Sequence, residues 1–158
     1  MEAKEIERVL TRLLEPHGAK KKGSRWLLES AETVCHLRLE ADRRRRHQFH
    51  LPFWVFVREL WKGPALAEPL WEAPVWHISG SRYTPNVKES ARLESCLNLT
   101  DIDHSSLAQL ENLCSEMVLP LLLELRTVSG IRRANREELL RQVAVRIDLQ
   151  KFLTIFPV

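Results

Sequence analysis

Glycine is scarce, with five in 158 residues. Neither a phosphate-cradling glycine loop nor a Gly-x-Ser-x-Gly nucleophile elbow can be assembled from Gly18, Gly23, Gly63, Gly80 and Gly130. Cysteine is as sparse. Cys35, Cys96 and Cys114 are odd in number and widely spaced, which fits a reducing compartment rather than a disulfide framework. No Cys-x-x-Cys, His-x-His or His-Glu-x-x-His pattern occurs, so no metal and no cofactor is expected. Long apolar runs are missing too. The longest, residues 117–123, contains Pro120 and falls far short of the roughly 20 residues that span a bilayer. The charged, amphipathic start MEAKEIERVL has no apolar signal-peptide region. The expected location is cytoplasmic, with no membrane contact. Nor is there a strong excess of one charge. A net charge of +3 speaks to solubility and steering, not to fold, and a mildly basic chain makes a poor mimic of DNA.

What is present is ordinary globular composition, 44% hydrophobic and 28% charged, in a length that suits one domain over residues 1–158. Residues 2–15 predict a helix, because Ile6, Val9, Leu10, Leu13 and Leu14 share one face. Pro16 and Gly18 end it. Residues 26–29 and 33–40 predict strands joined by a turn at Ser30, Ala31 and Glu32. Residues 47–57 alternate again, with an edge or bulge at Pro52, which cannot donate to a ladder. Cys35, Leu37, Leu39, Phe49, Leu51, Phe53 and Val55 are expected on one sheet face. Residues 60–74 predict a long proline-rich surface loop, and residues 75–79 a last strand ended by Gly80. Residues 82–98 predict a loop with a short helix. Residues 106–125 predict a helix kinked or split at Pro120. A further helix is expected from a cap at Asn135 through Leu139, Leu140, Val143 and Ile147, with the tail KFLTIFPV docked on the body. Helix, then strands, then helices predicts an α+β fold: an antiparallel sheet of about four strands with helices packed on one face.

The amphipathic opening followed by LEPHGAKKKGSRWLLE resembles the start of the bacterial domain-of-unknown-function 4304 family. Members run Leu-x-Pro-x-Gly-Phe-Lys-Lys-x-Gly and then an aromatic. The resemblance continues in order through QFHLPFWV, WHISGSRY and VLPLLLEL, and so covers most of the chain. Ala19 replaces the family's aromatic, Pro52 its common asparagine, and Trp76-His77-Ile78-Ser79 its Cys-His-Ile-Arg, with Arg82 further on. The resemblance implies an α+β fold without an established activity, and an immunity-type role by analogy with relatives in toxin neighbourhoods.

Several constellations bear on function. Lys20, Lys21 and Lys22 between two glycines read as the solvated lip of a strand, since edge lysines discourage edge pairing. Arg43, Arg44, Arg45 and Arg46 form the densest charge, in a loop. They suit carboxylates of a protein partner or, as the competing reading, a nucleic acid. Arg45 and His50 match an R-x4-H ribonuclease spacing, but that motif needs a helix and this segment alternates like a strand. Cys35 and His36 are strand neighbours on opposite faces and cannot form a dyad. Trp54, Trp61, Trp71 and Trp76 cluster in one stretch. They read as core staples or as interface anchors, because tryptophan and arginine dominate binding hot spots. The expectation is a non-catalytic protein-binding domain, an immunity or accessory protein, with an unidentified protein partner and a partner-binding set of Arg43, Arg44, Arg45, Arg46, Trp61, Trp71, His77 and Arg82. An enzyme built around His36, His50, His77 and Arg82 is the third reading.

Overall fold

A computed structural model describes residues 3–100 and 104–155. The amphipathic pattern at the start becomes helix α1 (Ala3–Leu14), which buries Ile6, Val9, Leu10 and Leu14. Pro16 falls in a 3-10 turn, and Gly18 closes it at φ +84°, a left-handed conformation natural to glycine. The chain then enters strands β1 (Lys20–Lys22), β2 (Arg25–Glu29) and β3 (Thr33–Arg38). β3 continues past a kink into β4 (Glu40–Ala41) and returns through β5 (Phe49–His50) and β6 (Phe53–Val57). Pro52 interrupts that return, as expected, and its carbonyl accepts from the Arg38 N–H at 3.1 Å. β7 (Ile78–Gly80) and β8 (Ala144–Val145) complete the sheet.

The fold is α+β. The sheet is antiparallel and runs β1-β2-β3-β6-β7-β8. It has six strands rather than about four. Both edge strands, the all-exposed lysine strand β1 and the two-residue β8, lack the buried alternation that marks a strand in sequence. Two further expectations change. Gly80 does not break the strand after His77 but pairs with Phe53 inside it. Asn135 does not cap a helix. It lies in the last turn of α5 (Val128–Arg136), which is capped instead by the Thr127 hydroxyl accepting from the Gly130 N–H. Glu138 at φ +60° ends the helical path, so Val143 precedes strand β8 and Ile147 opens α6 (Ile147–Ile155). The end of the tail, residues 156–158, lies outside the described residues.

One face of the sheet presents Trp26, Leu28, Cys35, Leu37, Phe53, Val55, Val57 and Ile78 to the helices in the main core. Across it pack α1, α2 (Val87–Cys96), α3 (His104–Leu113) and α4 (Leu119–Glu124). Leu110, Leu113 and Met117 join this core, while Leu13 and Phe49 are only half-buried at its margin. Between α3 and α4 the helix widens to one π turn, Cys114–Val118, directly before Pro120. The Leu119 N–H reaches five residues back to the Cys114 carbonyl. The wide turn makes room for a proline ring that would clash with a regular helical turn. Among the described residues, no helix contributes to the core on the other sheet face. Residues 61–76 lie across it and form a second core of Leu27, Val34, Phe56 and Leu70. The loop lies at the surface, with residues 62–65 and 67–69 exposed, and is pinned to the sheet by Leu70 at 3% exposure.

Candidate functional site: an arginine-rimmed tryptophan cage

The helix-free face carries the most unusual chemistry. Register places Leu27, His36 and Trp54 side by side on β2, β3 and β6, with Arg25 opposite Arg38 one step along. Alternation turns these side chains away from the main core. The layer of residues 61–76 then brings Trp71 and Trp76 over them. The His36 ring has centroids of Trp54, Trp76 and Trp71 at 5.4, 5.6 and 5.9 Å. The Arg25 guanidinium lies 5.5 Å from the Trp71 ring centroid and that of Arg38 5.9 Å from Trp54, within cation–π range. Together with Glu72 and Ala73 these groups line an open cleft of about 320 Å³.

His36 is the floor of this cleft, and its Nε2 is buried without a hydrogen-bond partner. Burial first, and then the charges of Arg38 and Arg25, lower its pKa to about 4. The ring is therefore neutral near pH 7. An unpartnered buried polar atom costs about 1–3 kcal/mol. The loop is held by Arg58, which donates to the Ser30 carbonyl at 3.0 Å and pairs with Glu68 and, at 3.6 Å, Glu29. Trp61 packs on Phe56 at 6.4 Å, and its Nε1–H donates to the Pro64 carbonyl. Trp61 is thus a staple of the layer, whereas Trp71 is a wall of the cleft.

The other expected residues lie elsewhere. Arg43, Arg44, Arg45 and Arg46 are exposed at the tip of the β4–β5 hairpin. Arg45 pairs there with Asp42 and, at 3.6 Å, with Glu94 of α2. This ties the tip to the helical side, opposite the cage. Arg82 is exposed and lines a cleft with His50 on that same side. His77 is 1% exposed. Its Nδ1 accepts from the Val57 N–H at 2.9 Å and its ring packs on Phe56, so it is a structural acceptor. Burial lowers its pKa, against an opposing pull from Asp148. The histidines are not gathered, and no group of three or more His, Cys, Asp or Glu among the described residues could hold a metal ion. The thiols are buried and free, with Cys35 and Cys114 pushed up to about 12 by burial, which makes them poor nucleophiles.

Sequence reasoning missed Arg25 and Arg38 and left out His36 as a binding residue. Alternation placed His36 and Arg38 on the non-core face. Nothing in the sequence gave the cross-strand register that sets them against Trp54. No family model, curated protein or solved structure matches the chain.

Proposed function

We propose that this chain is a non-catalytic binding module, of immunity or accessory type, that docks a partner protein by seating an aromatic side chain with an adjacent carboxylate in the His36 cage. The observation that carries this reading is the open cleft walled by Trp54, Trp71 and Trp76 with Arg25 at its rim. Indole faces accept a flat ring. Arg25 at the rim, with Arg38 beside it even though Arg38 also pairs with Glu40 at 2.9 Å, favours acid over the cations that aromatic cages otherwise take. Arg25 makes no ion pair among the described residues, which leaves its charge to a ligand.

The competing reading is nucleic-acid binding, favoured by four adjacent exposed arginines at the hairpin tip. Calorimetry separates the two. The probes are a peptide library in which one aromatic residue is flanked by glutamates, and generic single-stranded DNA and RNA. Acidic aromatic peptides should bind the wild type, and Trp71→Ala should cost about 2 kcal/mol or more of that affinity. Arg38→Ala should weaken it as well, while Arg44→Ala with Arg45→Ala should leave it intact. Salt-sensitive binding of oligonucleotides that depends on Arg44 and Arg45, with no peptide bound, would replace this reading with the nucleic-acid one.

A further inference from the structure

A second cleft opens on the helical side, independent of the cage. It has a volume of about 210 Å³ and is lined by His50, Ser81, Arg82, Ser90 and Glu94 over a floor that includes Leu93. Its organising residue is Asp42, just before the arginine run. Asp42 Oδ1 accepts the backbone N–H groups of Arg44 and Arg45 at 2.7 and 3.0 Å. Its Oδ2 faces His50 Nε2 at 2.8 Å. The His50 bond and then the two backbone donors hold this carboxyl well below the usual carboxylate range. Asp42 therefore remains ionised and orients the His50 ring, whose Nε2–H donates to it.

That arrangement leaves His50 Nδ1 without a hydrogen bond among the described residues. Arg82, on the same cleft, has neither an ion pair nor a hydrogen bond among them. His50 and Arg82 thus line one small volume together with Ser81 and Ser90. The charge facing it from each side is accounted for. Glu40, across the ladder from His50, is taken by Arg38 at 2.9 Å. Glu94 on α2 is partly offset by Arg45 at 3.6 Å. Tyr83 is buried and stays neutral, its pKa raised by burial.

We propose that this cleft is a second ligand site, which holds the phosphate group of a small phosphorylated compound between His50 and Arg82. A tetrahedral group with several acceptor oxygens can use a guanidinium, an imidazolium and a hydroxyl at once, whereas a carboxylate offers two oxygens in one plane.

The test follows the histidine ring signals of the full chain by NMR during titration with inorganic phosphate, with acetate and chloride as comparisons. Phosphate is expected to shift the His50 signals saturably, leaving those of His36 unmoved. Arg82→Ala, at an exposed position, should weaken binding about tenfold or more. Glu94→Gln should tighten it by removing the one carboxylate that faces the ligand. His50→Gln should weaken binding as well. Equal responses to phosphate and chloride, or an Arg82→Ala protein that binds as the wild type does, would overturn the site. Acetate binding as tightly as phosphate would overturn the assignment of the ligand class.

Discussion

A buried histidine makes the stability of this protein depend on pH. His36 titrates at about 4 in the fold against 6.5 for an ordinary histidine. Between those values the unfolded chain takes up the proton and the folded chain does not. Stability is therefore full above about pH 6.5, falls as pH drops toward 4, and levels off below. The drop amounts to at most about 3 kcal/mol from this residue. His77, also lowered by burial, adds a slope of the same sign. Urea denaturation across this range should show that His36→Phe flattens the slope without removing it. At pH 7 the same variant should be as stable as wild type or more so by about 1 kcal/mol, because it deletes an unsatisfied buried atom. It should bind acidic aromatic peptides poorly. A large loss of stability at pH 7 would mean that Nε2 has a partner in solution. The face on which His36 lies was legible from the alternation of residues 33–40. Trp54 as its neighbour was not, because the β3–β6 register depends on where Pro52 breaks the return strand.

Among the elements, helix α1 and the central strands follow from spacing alone. The last third of the chain does not. There the pattern of Leu139, Leu140, Val143 and Ile147 suits a helix, yet Glu138 at φ +60° breaks it and a two-residue strand pairs with β7 instead. Tertiary pairing overrides local propensity at that point. The turn from α4 into α5 is equally specific. A Cβ on Gly130 would lie 1.7 Å from the Glu124 carbonyl oxygen, so the helix start can pass the preceding turn only with glycine. Gly130→Ala should cost about 3 kcal/mol, in the upper range of overpacking effects, and lower the thermal midpoint accordingly. A variant of unchanged midpoint would show that the turn relaxes freely. Gly130 bears no mark in the sequence, because its constraint comes from a carbonyl six residues away.

At the scale of the whole molecule, one sheet separates two cores of unequal size. The main core holds Phe53 at 0% exposure together with the helices, and Phe53→Ala should cost about 3–5 kcal/mol. The second core is small, and Leu70 is its contribution from the loop. Leu70→Ala should loosen residues 61–76 without unfolding the rest. Hydrogen exchange should then speed up in that segment while amides of β3 and β6 keep their protection. Uniformly faster exchange would show that the two cores melt as one unit. The two-layer α+β plan was readable from the order of elements. The third layer was not, because a proline-rich stretch without periodicity gives no sign of what it covers. That layering also has an optical consequence. Of five indoles, Trp26 alone belongs to the main core, while Trp54, Trp61, Trp71 and Trp76 belong to the helix-free face. The intrinsic fluorescence of this protein is thus dominated by one side of the sheet, and its emission will change when the loop lifts, before circular dichroism registers any loss of helix.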